Sequence, residues 1–173
     1  MSWQIWRSFR KTTMGRGIMK TKKGLLLLLL ACISITAMAE TYIYKGTSSY
    51  RSDIRFTWDG KYLYTGTSQY RSDIICSYDG EYIYKGTSTY RSDILFRWDG
   101  RYLYSGTSSY RSDILCSFDG EYIYDGTSTY RSDILYSIRG KHVYPNTSQY
   151  RSDILYTVDG MLPIPILIIV LML

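Results

Sequence analysis

Six Tyr-Arg pairs recur at a spacing of 20 residues: Tyr50-Arg51, Tyr70-Arg71, Tyr90-Arg91, Tyr110-Arg111, Tyr130-Arg131 and Tyr150-Arg151. A tyrosine supplies a stacking face with a hydroxyl at its tip. A guanidinium supplies a planar fork of donors that matches a carboxylate or phosphate. Six such pairs in a ring would grip a glycan, an anionic lipid headgroup or a peptide carboxylate. The surrounding segment, Thr-Ser-x-Tyr-Arg-Ser-Asp, also has a purely structural use. Ser and Asp cap backbone amides in turns, and each Arg has an Asp two positions on with which to pair.

Other reactive chemistry is sparse. The single His142 takes a slot that the other copies fill with Tyr and reads as a drifted surface residue. Cys76 and Cys116 lie two repeats apart at one inward position. In a sixfold ring they would stand about a third of the circumference apart, beyond the ~4.4–6.8 Å Cα separation of a disulfide. They are expected as buried free thiols. The chain has no Cys-x-x-Cys, no Ser/His/Asp set, no glycine-rich phosphate loop and no suitable carboxylate cluster. Catalytic sites are usually single and asymmetric, so six near-identical copies argue for a scaffold or a multivalent surface. Neither an enzyme, a metal site nor a cofactor is expected.

The elements that position the pairs come from the repeat itself. Gly-Thr-Ser-x-Tyr-Arg-Ser-Asp-Ile starts at Gly46, Gly66, Gly86, Gly106 and Gly126, and again at Asn146 with Asn for Gly. A fixed period near 20 residues marks an architecture in which each unit buries its apolar face against its neighbours. Within each unit Asp-Gly separates two alternating runs, as in Ile54–Trp58, Asp59-Gly60 and Lys61–Tyr64. That pattern predicts a hairpin with a two-residue type I′ turn. It would pair Trp58 with Lys61, Phe56 with Leu63 and Ile54 with Thr65. Ile54, Phe56, Trp58 and Leu63 then form the core face. Arg55, Thr57, Tyr62 and Tyr64 form an amphipathic face toward water or a ligand.

Five complete hairpins turn at Asp59, Asp79, Asp99, Asp119 and Arg139-Gly140, leaving Tyr42–Tyr44 and Ile154–Val158 as two halves. Joining the halves closes a ring of twelve strands without an exposed edge. Such a ring is too wide for its own side chains to fill. The apolar tail Met161–Leu173 has the right chemistry to occupy it. As a helix it reaches ~20 Å, which matches strands of ~17–20 Å and falls short of a ~30 Å hydrocarbon core. An interfacial membrane anchor is the alternative use of the tail. A finer alternation runs around the ring. Phe56 and Phe96 exchange with Cys76 and Cys116, and Lys61, Glu81, Arg101, Glu121 and Lys141 alternate in sign along one rim. Recent duplication of a 40-residue unit accounts for both patterns equally well.

The net charge of +6 does not point to nucleic acid. Seven of the 21 Lys/Arg and no acid lie in residues 1–39, leaving 14 basic against 15 acidic residues in the remainder. No basic stripe is left to track a phosphate backbone. Residues 1–39 read as a secretory signal. Lys20, Lys22 and Lys23 precede the apolar Leu25–Thr36, and Ala37-Met38-Ala39 forms a small-x-small cleavage site before Glu40. Met19 is the better start, with cleavage after Ala39; acylation at Cys32 as a lipoprotein is the minority alternative. The expected address is the periplasm or cell envelope.

The repeat, the hairpin ring, the signal and the tail together resemble the bacterial short-repeat proteins described as β-flowers. Those are shallow symmetric barrels that in turn resemble the tubby C-terminal barrel around its hydrophobic helix. The resemblance covers roughly residues 41–173 and implies a fold, not an activity. Tubby domains bind phosphoinositides, but no lysine-rich patch here carries that over. A second similarity is to choline-binding repeats, which form an open hairpin solenoid. Their cages use Trp clusters, whereas Trp occurs in these repeats only at Trp58 and Trp98.

The expectation is therefore an exported, all-β, non-enzymatic protein: a closed ring of six hairpins over residues 40–160 around the tail 161–173. Its ring would bind a lipid or glycan, with peripheral membrane association. A membrane-attached scaffold presenting a symmetric surface to a partner, or an open choline-binding-like solenoid, are the alternatives.

Overall fold

The Asp of each Asp-Gly pair bends the chain with its own side chain. In the computed structural model, which describes residues 40–173, Asp59 Oδ1 accepts the N–H groups of Lys61 at 2.8 Å and Tyr62 at 2.7 Å. This side-chain turn widens the loop to four residues. Trp58 accordingly pairs with Leu63 and Phe56 with Thr65, not with Lys61 and Leu63 as a type I′ turn requires. The same loop recurs at Asp79, Asp99 and Asp119. The fifth hairpin carries Arg139 in place of Asp and so lacks the acceptor. There Arg139 pairs with His142 across a two-residue turn at Gly140-Lys141. Because the slip at the Asp loops is two residues, the side chains after it keep their faces.

The strands are β1 (Thr41–Lys45), β2 (Ile54–Trp58), β3 (Tyr62–Thr65), β4 (Ile74–Tyr78), β5 (Tyr82–Lys85), β6 (Ile94–Trp98), β7 (Tyr102–Ser105), β8 (Ile114–Phe118), β9 (Tyr122–Asp125), β10 (Ile134–Arg139), β11 (His142–Pro145) and β12 (Tyr156–Asp159). They pair antiparallel in chain order, and β1 closes on β12 through Ile43–Val158 and Tyr44–Thr157. An open solenoid is therefore not the arrangement. Closure leaves no edge strand.

A bulge separates the two faces differently from simple alternation. Ile43 faces Phe56, but Tyr44 faces Ile54, so Arg55 is skipped. The pattern repeats at Ile75, Leu95, Leu115 and Leu135. One extra residue turns Ile54 out of the core and onto the tyrosine side of the sheet. Ile54 is buried there with Tyr44 and Tyr64. The expected core position of Ile54 is thus corrected. The expectation that the tyrosine face meets water or a ligand is corrected for Thr57 and Tyr64, while Arg55 is exposed and Tyr62 half-buried. Tyr44, Tyr64, Tyr104, Tyr124 and Tyr144 are all buried, together with Thr57, Ser77, Ser117, Ser137 and Thr157.

The barrel interior is filled from one end. Gly160 follows β12 at φ +126, where a Cβ would stand 2.5 Å from Thr41 Oγ1. Only glycine allows the chain past that point. Thr41 Oγ1 then donates to Met161 O at 2.9 Å, and the chain turns inward as α1 (Ile164–Met172). Pro165 sits in the first turn, where a missing N–H costs nothing. Ile166, Ile168, Ile169 and Val170 pack with Ile43, Trp58, Leu63, Ile83, Leu103 and Ile123 in one core. A helix that is apolar all round belongs in such a place. No described helix is long and apolar enough to cross a membrane. The basic and apolar segments of residues 1–39, including Cys32 and the cleavage site, lie outside the described residues.

Candidate functional site

Each repeat contributes one loop that leaves the barrel end at which α1 finishes. In the first, Gly46 takes φ +60, and in the sixth Asn146 takes the same left-handed conformation at φ +49. Asn is the residue best able to replace Gly there. Ser48 Oγ donates to Asp53 Oδ2 at 2.5 Å and accepts the Tyr50 N–H at 3.1 Å. A short 3₁₀ turn, Arg51–Asp53, then returns the chain to β2. All six loops share this Ser–Asp clasp. The Asp therefore serves its own loop's serine, not the neighbouring arginine.

That arrangement leaves the Tyr-Arg pairs outward. Tyr50, Tyr70, Tyr90, Tyr110, Tyr130 and Tyr150 are 74–78 % exposed, and the six adjoining arginines are exposed as well. Ion pairs among the described residues are Arg97–Glu81 at 2.8 Å and Arg139–Glu121 at 3.3 Å. None of the six loop arginines takes part, so the expected Arg–Asp pairing is absent from the loops. Arg71 Nη2 instead reaches Thr87 Oγ1 of the next loop at 3.0 Å, and Arg111 does the same to Thr127 at 3.4 Å. Two neighbouring loop pairs thus touch side by side, and the guanidinium forks stay largely free.

The rim of alternating sign behaves otherwise than its sequence order suggests. Glu81 and Glu121 bind Arg97 and Arg139 of the adjacent strands, not Arg101 or Lys141. Lys61 and Arg101 lie over the rings of Tyr62 and Tyr102 at 5.0 and 5.2 Å. These are cation–π contacts at the end opposite the loops.

The loop end also carries apolar surface that sequence alternation hid. Of the skipped residues, Leu95 and Leu135 are exposed, and the corresponding Leu155 lies beside Leu173 at the barrel mouth. Met172 and Leu173, at the end of α1, are 54 % and 68 % exposed. A cavity of about 590 Å³ opens between Leu173 and the strands on either side of the β12–β1–β2 junction.

Titratable groups inside the fold are tuned for structure. Burial pushes the Cys76 and Cys116 thiols up to about 12, and both are free. His142 Nδ1 lies 3.0 Å from Thr157 Oγ1, and its ring packs edge-on against Tyr144. Among the described residues no group of three His, Cys, Asp or Glu is placed to hold a metal ion.

A barrel of six equivalent hairpins around a terminal helix can be set against known proteins. The 6-fold beta flower protein family matches residues 43–167, most of the chain. The chain belongs to that family. Neither the curated proteins nor the solved structures compared with it include a match. The family assignment accounts for the sixfold hairpin ring.

Proposed function

We propose that this β-flower is an exported, non-enzymatic binding module of the cell envelope that docks its loop end on an anionic lipid surface. The observation that carries the reading is the coincidence of three kinds of exposed group at one end. Six loops carry Tyr and Arg without a carboxylate partner. Leu95 and Leu135 of the bulges, with Met172 and Leu173 of the helix end, supply apolar contact. Tyrosine belongs at a membrane–water interface because its ring is apolar and its hydroxyl is wet. Guanidinium forks match phosphate. A glycan would use the aromatic faces but would gain nothing from exposed leucine and methionine.

Flotation of the protein with vesicles tests this. Vesicles containing phosphatidylglycerol should carry the protein, pure phosphatidylcholine should carry much less, and added salt should release it. Equal binding to both vesicles, or none to either, would remove the reading. Retention on a polysaccharide matrix with no flotation would favour a glycan.

A further inference from the structure

The copies differ at several positions, and two of the differences meet at the junction of the last strand with the first. At this position of the repeat, five copies carry Ile75, Leu95, Leu115, Leu135 and Leu155, but the first carries Arg55. At the neighbouring inward position, Phe alternates with Cys through most of the ring. At the junction two aromatics meet instead: Phe56 and Tyr156 contact edge-on, with centroids 6.4 Å apart. The cavity of about 590 Å³ lies here, bounded by Phe56, Leu155, Tyr156 and the helix end Leu173, with Lys45 and Arg55 beside them. It is a depression open to solvent, comparable in volume to the ~300–1,000 Å³ of small-molecule sites. Neither Lys45 nor Arg55 has a carboxylate within ion-pair distance among the described residues.

We infer that this junction is a single-ligand site for a long-chain carboxylate, whose hydrocarbon lies along Phe56, Leu155 and Leu173 and whose head meets Lys45 and Arg55. The inference deepens the lipid reading above and takes from it only the choice of lipid as ligand class. An apolar floor beside two unpaired cations is complementary to an amphipathic anion. Lys45 and Arg55 are exposed and would add an attraction for an anionic head that a neutral head lacks, and a small hydrophilic anion would leave the aromatic floor wet. Only one such place exists because only one copy carries a cation at the bulge. The loops offer six equivalent positions, so stoichiometry separates the two sites.

Calorimetric titration of the full chain with dodecanoate, below its micellar concentration, tests the site. Dodecyl maltoside provides a neutral head at the same chain length. One dodecanoate per chain is expected, with the maltoside binding more weakly. Arg55→Leu installs the residue found at Leu95, Leu115, Leu135 and Leu155, so the fold tolerates it; an unchanged melting curve checks that. Loss of this exposed charged contact should weaken dodecanoate by up to about fivefold. Arg101→Leu, at the opposite end, should leave it unchanged. Several dodecanoates per chain, equal affinity for the maltoside, or an Arg55→Leu affinity equal to wild type would overturn the site. Flotation on anionic vesicles without dodecanoate uptake would overturn the site and leave surface docking intact. One-to-one dodecanoate binding without flotation would do the reverse.

Discussion

The Thr157 hydroxyl donates to the Gly46 carbonyl at 2.6 Å, joining two residues 111 positions apart. Thr57 makes the same bond to Gly66 at 2.6 Å, but within nine residues. One contact therefore serves as an ordinary intra-hairpin bond in the first repeat and as the ring's closure in the last. Both hydroxyls are buried, so removing either leaves a carbonyl short of a donor.

Thr57→Ala should consequently cost about 1–2 kcal/mol, and Thr157→Ala at least as much, because Thr157 Oγ1 also lies 3.0 Å from His142 Nδ1. Chemical denaturation of the two variants measures this directly. If Thr157→Ala were silent while Thr57→Ala destabilised, the first and last strands would not be held together in solution.

The helix should matter to stability far more than its length suggests. Ile166 is fully buried among strand side chains, while Leu173 projects from the barrel mouth. Ile166→Ala should cost about 2–5 kcal/mol. Leu173→Ala should stay within about 0.5 kcal/mol. Equal, small effects would mean that the strands hold together without the helix.

Much of this was legible in the residues because a repeat magnifies weak signals. Five copies of Asp-Gly or Arg-Gly between alternating runs give the hairpins, and two unmatched half-hairpins imply closure. What escaped was local competition between side chain and backbone. Asp59 could form a type I′ turn or accept two amides, and the amides won. Strict alternation points Ile54 inward; one skipped residue at Arg55 reverses it. Asp53 stood two positions from Arg51 and invited an ion pair. The loop instead brought Ser48, five residues back, within hydrogen-bond reach. The apolar mouth followed from that same skipped residue and could not be seen without it.

The carboxylates and phenols of the loops predict opposite limits of pH stability. In Asp79, Asp99 and Asp119 burial pushes the carboxyl up. Hydrogen bonds from two backbone amides and a tyrosine hydroxyl outweigh it, holding each below the ordinary range. The serine hydroxyls of the loop clasp do the same for Asp113, Asp133 and Asp153. Their stabilisation is complete above the unfolded value of ~3.9 and is lost as pH falls through the lower folded values. On the alkaline side, burial and then Asp59 push Tyr64 up to about 12. Tyr84 and Tyr124 are raised first by their bonds to Asp79 and Asp119. That stabilisation is complete below the unfolded value of ~10 and is lost as pH rises through the folded values. The melting temperature should thus hold a plateau between these limits and fall on both sides. An acid limb that stayed flat to ~pH 2 would contradict the aspartate assignments.

Surface docking through a ring carries its own arithmetic. If six equivalent arginines meet an anionic lipid surface, each contributes about 1 kcal/mol, or roughly fivefold in partition. Arg51→Ala alone should weaken flotation by that modest factor. Arg51→Ala, Arg91→Ala and Arg131→Ala together should weaken it about a hundredfold, the product of three nearly independent losses. The three lie in alternate loops, so no two removed side chains belong to neighbouring copies. High salt should compress the difference between single and triple variants, because exposed charges are screened within about a Debye length of ~8–10 Å. A single variant as damaging as the triple would point to one privileged loop. Variants indistinguishable from wild type at low salt would mean that the guanidinium ring is not the surface that meets lipid.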